Sequence, residues 1–219
     1  MIAVIDYGSG NLRSVAKALE SVGAHVHITD RKSDLQNASH LVLPGVGAFA
    51  DCRYNLEATG LIEPILTHIA NGKPFLGICV GMQLLFSQSF EFGIHPGLDL
   101  VKGRVIGFDR HIPDSQNPNR TLKVPHMGWN RVEQTQSHPL WSGIEDGAFF
   151  YFVHSFYGDL EEDSLLVGRT IYGLPFTAAL VKDNIFATQF HPEKSQKNGL
   201  QLLQNFIAWN PASYIRKIS

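Results

Sequence analysis

A chain of 219 residues, 44% hydrophobic and 17% charged, is long enough to close one sizeable core and has the composition of a soluble globular protein. Its formal net charge of -2 supplies no broad basic field, which argues against nucleic acid or an anionic membrane as a general partner. Two cysteines, Cys52 and Cys79, cannot build a disulfide framework, no apolar run approaches the roughly 20 residues that span a bilayer, and the chain opens on Ile2-Ala3-Val4-Ile5 rather than on a signal, so a cytoplasmic, reducing setting is expected.

Ile2 to Ile5 predicts a first buried strand, and Leu12, Val15, Ala16, Leu19 and Val22 then recur at helical spacing up to Gly23, a helix stop. Val26-His27-Ile28 predicts a second strand. Leu41-Val42-Leu43 predicts a third, ending in the loop Pro44-Gly45-Val46-Gly47, and one helix is expected over 55–70. Pro74-Phe75-Leu76-Gly77-Ile78 is a short apolar run, after which residues 80–86 place bulky side chains three and four apart, so the chain should pass from strand to helix at Cys79. Strands alternating with helices imply a parallel sheet covered on both faces. After about residue 100 the runs shorten and alternate, at 101–106, 149–153, 165–171, 177–181 and 185–189, which suggests antiparallel strands added to the parallel core. A closing helix should bury Leu200, Leu203, Phe206 and Ile207, and 114–119 is the expected exposed excursion. No repeat or linker interrupts the chain, so 1–219 is expected to be a single domain.

The chemistry should sit at Cys79. Glycines at 77 and 81 flank it in the spacing of a nucleophile elbow, where a sharp turn exposes the nucleophile and small neighbours let backbones approach. Free N–H groups at the start of the following helix would favour thiolate over thiol and could bind an oxyanion; the alternative is an ordinary buried cysteine. A cysteine nucleophile needs a base, and among ten histidines His191 stands out, in Gln189-Phe190-His191-Pro192-Glu193 just past a late strand. In an extended segment residues two apart share a side, so His191 and Glu193 could serve one site, as base and orienter. Pro44-Gly45-Val46-Gly47 lies at the carboxyl end of a parallel strand, where open sheets hold ligands, and could give one oxyanion N–H from Val46 or Gly47 while Val80 gives the other. Two signals lead elsewhere. Gly8-Ser9-Gly10 after a first strand, with Asp30 after a second, imitates a dinucleotide fingerprint, but Arg13 stands where the third glycine belongs. His126, His138 and His154 lack ligand spacing, so no zinc site and no cofactor are expected.

Gly77-Ile78-Cys79-Val80-Gly81-Met82-Gln83, Pro44-Gly45-Val46-Gly47 and Phe190-His191-Pro192-Glu193-Lys194-Ser195 resemble the class I (triad) glutamine amidotransferases, a likeness that runs over essentially the whole chain. Asp6-Tyr7-Gly8-Ser9-Gly10-Asn11-Leu12, Val124-Pro125-His126-Met127-Gly128-Trp129-Asn130 and Tyr151-Phe152-Val153-His154-Ser155-Phe156 are most similar to the glutaminase subunits of imidazole glycerol phosphate synthases. The resemblance implies an α/β, flavodoxin-like open sheet, mostly parallel, with helices on both faces and antiparallel additions. It implies a triad of Cys79, His191 and Glu193, an oxyanion surrounded by Val46, Gly47 and Val80, and a role for Gln83 in holding L-glutamine. It also implies a heterodimer with a cyclase subunit that receives the ammonia, with Asn11, Trp129, Asn130 and Lys194 at or near the contact. This chain itself shows no basic phosphate loop for a sugar phosphate acceptor. The polar segment 109–119 is long for the family and has no assigned role. A sister glutaminase serving another synthase, a stand-alone cysteine hydrolase and a nucleotide-binding module remain as alternatives.

Overall fold

The structure, a computed structural model, describes residues 1–109, 111–114 and 117–211. The first half winds through β1 (Ile2–Ile5), α1 (Leu12–Ser21), β2 (Val26–Thr29), α2 (Lys32–Asn37), β3 (His40–Gly45), α3 (Phe49–Ala58), α4 (Ile62–Ala70) and β4 (Phe75–Cys79), then a single helical turn, α5 (Val80–Gln83). Every residue of β1 and β4 is buried, as strands covered on both faces require. The second half adds β5 (Phe86–Ser89), β6 (His95–Pro96), β7 (Val101–Gly107), β8 (Pro113–Asp114), β9 (Asn117–Thr121), β10 (His126–Gln134), β11 (Ala148–His154), β12 (Phe156–Leu160), β13 (Leu166–Tyr172), β14 (Leu174–Lys182) and β15 (Ile185–Thr188), and closes with α6 (Gln196–Ala208).

Among the described residues the main sheet has nine strands in the order β11-β10-β13-β14-β15-β4-β3-β1-β2. The stretch from β15 to β2 is parallel, and β14, β13, β10 and β11 continue it antiparallel. Register decides where the site falls. Gly45 pairs with Cys79 across β3 and β4, and Thr188 pairs with Ile78 across β15 and β4, so the exits of these three strands open at one end of the sheet. Buried Phe49, Phe75, Phe150, Phe152, Phe186, Phe190 and Phe206 belong to a core that runs through both halves.

Four expectations are corrected. The helix expected over 55–70 is two, because the chain turns at Thr59-Gly60, where Gly60 takes φ +66° and its N–H bonds the Glu57 carbonyl at 2.9 Å. The helix expected over 80–86 is only the turn α5, followed directly by β5; Leu84, Leu85 and Phe86 are all fully buried, so their spacing reflects enclosure on every side rather than one helix face. The strand expected at 101–106 forms, but in a separate sheet ordered β12-β7-β5-β6. The strand expected at 185–189 is antiparallel to β14 yet parallel to β4, which makes it the seam between the two halves. In α6 the buried residues are Gly199, Leu202, Leu203 and Phe206, with Leu200 and Ile207 at the flanks of that face. Of the excursion expected at 114–119, residues 115 and 116 lie outside the described residues, as does 110 in the longer segment 109–119; β8 and β9 pair antiparallel around it.

Candidate active site

Cys79 ends β4 with φ 56° and ψ -113°, a left-handed bend that costs a non-glycine residue roughly 1–3 kcal/mol and persists only where surroundings enforce it. The enforcement is close backbone packing. A Cβ on Gly81 would collide with the Leu43 carbonyl oxygen, one on Gly77 would come within 3.0 Å of the Gly81 carbonyl oxygen, and one on Gly45 within 2.9 Å of the Gly81 nitrogen. Cys79 is 4% exposed and lines the cleft.

His191 and Glu193 meet, though by a route other than strand alternation. Pro192–Lys194 is one turn of 3-10 helix, begun by Pro192 with its preset φ, and this turn rather than an extended segment brings Glu193 back to His191. The His191 Nδ1–Glu193 Oε1 distance is 2.8 Å, with the two side chains 3% and 1% exposed. The backbone is pinned as well: His191 N–H donates to the Tyr151 carbonyl at 2.9 Å, and Ser195 Oγ donates to the His191 carbonyl at 2.6 Å while accepting from Tyr151 N–H at 3.0 Å. His191 Nε2 is buried and left open toward the Cys79 sulfur. Burial pulls this imidazole down, but the Cys79 sulfur and the Glu193 carboxylate outweigh it and raise its pKa to about 10. The imidazole is thus held between the Cys79 sulfur and the Glu193 carboxylate.

Cys79, Val80, Gln83, Val46, Gly47 and His191 all line one cavity of about 340 Å³, with Glu193 directly behind His191. Gly47 takes φ +104°, and the Val46 carbonyl accepts from Ser9 Oγ at 2.6 Å and Cys52 Sγ at 3.4 Å. Peptide planarity then sends the Gly47 N–H away from Ser9 and Cys52. Tyr7 OH donates to the Pro44 carbonyl at 2.8 Å, so the turn that imitates a dinucleotide fingerprint instead backs the loop 44–47. Gln83 is buried, its Nε2 donating to the Phe156 carbonyl at 2.9 Å and to Gln189 Oε1 at 3.0 Å.

The sequence did not single out Gln189 or Glu91. Gln189 Nε2 lies 3.7 Å from Cys79 Sγ; its signal was its place two residues before His191. Glu91 supplies the cavity's carboxylate, held by Phe49 N–H at 2.7 Å and raised in pKa by burial, and nothing in the surrounding sequence marks it. Of the residues expected at a partner surface, Trp129 is 45% exposed rather than a core tryptophan, and its ring lies 6.0 Å from that of Tyr151, over which Lys194 Nζ sits at 5.7 Å. Asn11 is exposed. Asn130 is half-buried and spends its amide internally, on the Ile171 carbonyl at 2.9 Å and His126 Nε2 at 3.2 Å. Among the described residues no group of three or more His, Cys, Asp or Glu could hold a metal ion, and no helix is long and apolar enough to cross a membrane.

Residues 3–209 match the family profile described as glutamine amidotransferase class-I. The imidazole glycerol phosphate synthase subunit HisH of Syntrophotalea carbinolica is 51% identical over 94% of this chain and 98% of its own length. That of Geobacter metallireducens is 52% identical over 94% and 96%. Among solved structures, one described as a glutamine amidotransferase superposes with a TM-score of 0.71 at 16% identity over 95% of this chain and 98% of its own. The structure of PurLQS from Thermotoga maritima does so at 0.68 and 19%, over 94% and 97%. At such identities these two establish the fold alone, an α/β sheet of this class.

Proposed function

The chain belongs to the class I glutamine amidotransferases, and from that premise we propose that it is the glutaminase subunit of an imidazole glycerol phosphate synthase, hydrolysing L-glutamine and passing ammonia to a cyclase subunit in histidine biosynthesis. The observation that carries the reading is the buried Cys79, His191 and Glu193 constellation at the mouth of the parallel strands.

Cys79 Sγ attacks the side-chain amide carbon of glutamine, and the carbonyl π electrons move onto oxygen. N–H groups of the loop 44–47 and of Val80 face that oxyanion. Collapse breaks the C–N bond, with the proton on His191 Nε2 passing to the departing nitrogen, and leaves a thioester plus ammonia. Water then attacks the thioester, giving its proton to Nε2, and the C–S bond breaks to release glutamate and the thiolate. Glu193 holds the ring through Nδ1 and balances its cation. Gln83 and the rest of the cavity hold the glutamine.

Ammonia in bulk water near neutrality is mostly protonated and non-nucleophilic, so direct transfer to a cyclase has a chemical reason. A face carrying Trp129 and Lys194 is the surface we assign to that partner, with Asn11 and Asn130 assigned to the contact or its margin, and the cytoplasm is the compartment we assign to the pair. Glutamate and ammonia release should be measured for the chain alone, with the cyclase, and with cyclase plus nucleotide acceptor. The expected outcome is slow turnover alone and a large rise with both. Full rate in isolation, or hydrolysis of dipeptides in preference to glutamine, would overturn the reading.

A further inference from the structure

The Phe156 carbonyl oxygen accepts two hydrogen bonds, from Gln83 Nε2 and from His154 Nδ1, each at 2.9 Å. A carbonyl can only accept, so both partners must donate, and every contact further along acquires a direction. On one side Gln83 must present its NH2 group to Phe156, and the same nitrogen then donates to Gln189 Oε1 at 3.0 Å. With its oxygen occupied there, Gln189 can turn only its NH2 group to Cys79 Sγ, 3.7 Å away. On the other side His154, protonated at Nδ1, must accept at Nε2 from His126 Nδ1 at 3.0 Å, and His126 Nε2 accepts from Asn130 Nδ2 at 3.2 Å. Both rings are neutral in this arrangement, and burial lowers them to about 3 for His154 and about 4 for His126. The carboxamide of Gln189 thus has a fixed sense, dictated by one backbone oxygen.

We propose that Gln189 is a further catalytic residue, whose side-chain N–H donates to the Cys79 sulfur and favours the thiolate over the thiol. The proposal rests on Cys79 being the nucleophile. A donor from a rigid, buried amide stabilises a sulfur anion without competing for the proton that His191 exchanges, whereas the amide turned the other way would set oxygen against the thiolate. Gln83 acts here as a positioning residue, since it occupies the oxygen that would otherwise be free to face the sulfur.

The test is the pH dependence of Cys79 alkylation by iodoacetamide in the full-length protein, read by mass spectrometry of the peptide that contains Cys79, so that Cys52 does not contribute. His191, Glu193, Tyr7 and Cys52 also bear on this sulfur directly or through one neighbour, and all four stay unchanged across the variants. Loss of a hydrogen bond to a charged group should move the midpoint upward by about one pH unit in Gln189→Leu, tenfold less thiolate below it. Gln189→Met, of similar length but without a donor, should move it by a similar amount and carries the test by itself if the leucine variant does not fold. Gln83→Met should give a smaller shift in the same direction, by freeing Gln189 to turn. Midpoints in the leucine and methionine variants equal to that of the unchanged protein would overturn the proposal. Absence of Cys79 labelling in the unchanged protein, or full glutaminase activity in Cys79→Ser, would instead refute the nucleophile on which it rests.

Discussion

At the scale of single residues, His191 is held between a sulfur and a carboxylate, with burial opposing both. Removing the sulfur in Cys79→Ala should let the ring titrate well below its value near 10, and NMR of the imidazole would show it; an unchanged titration would mean that the two groups do not interact. The same coupling has a consequence for stability. A histidine whose folded pKa is raised contributes stability that is fully present below its unfolded value, about 6.5, and is lost as pH climbs through the folded value. Between roughly pH 6.5 and 10 the protein should therefore lose stability with rising pH, and less steeply in Cys79→Ala, as urea melts would show. In turnover, general acid and base help is worth about 10²–10⁴-fold, so His191→Ala should lose most activity while Glu193→Gln, which keeps an acceptor for Nδ1–H, loses less. Equal single-turnover losses would contradict these roles.

At the scale of elements, the elbow and the loop 44–47 are locked by contacts that side chains at other positions control. Gly81→Ala would drive a Cβ into the Leu43 carbonyl and should destabilise by about 1–3 kcal/mol, seen as a lower urea midpoint, with activity falling as the bend at Cys79 relaxes. Ser9→Ala removes the 2.6 Å donor from the Val46 carbonyl, leaving Cys52 at 3.4 Å, and should lower kcat severalfold with little change in KM for glutamine. The bend at Cys79 and the meeting of His191 with Glu193 were legible in the sequence because their signals are local: Gly77, Cys79 and Gly81 announce an elbow, and His191 and Glu193 sit two apart. What sequence periodicity missed were features made by enclosure or by distant backbone. The run from Val80 to Phe86 looked helical because burial on all sides mimics a helix face. The 3-10 turn at Pro192–Lys194 gave the expected meeting of His191 and Glu193 through a geometry that period-two reasoning does not contain. Gln189 and Glu91 carry no signature of their own and became visible only when the fold brought them to the cavity.

At the scale of the whole molecule, a glutaminase whose relatives are synthase subunits has to be read with its partner. Trp129, Tyr151 and Lys194 form a patch of two rings and a cation beside the segment that holds the base, and large exposed aromatics are the side chains that dominate interface energies. Trp129→Ala should weaken cyclase binding by about 2 kcal/mol or more in a calorimetric titration while leaving the triad's basal hydrolysis unchanged. Lys194→Ala should mainly reduce the stimulation by acceptor, because a partner carboxylate at Lys194 would act one residue from Glu193. The seam strand β15 carries a different consequence, for how the protein comes to exist. Its one edge pairs with β14 through a short local hairpin, but its other edge must find β4, and Gln189 and Cys79, which meet across that seam, are 110 residues apart in sequence. Closing such a separation is slow, and until it happens β4 and the β14–β15 hairpin each present an open strand edge to other chains. A nascent or truncated polypeptide lacking everything from Ile185 onward should therefore aggregate readily. On the proposed mechanism it should also be chemically silent, since it lacks His191 and Glu193: an unfinished copy cannot squander glutamine.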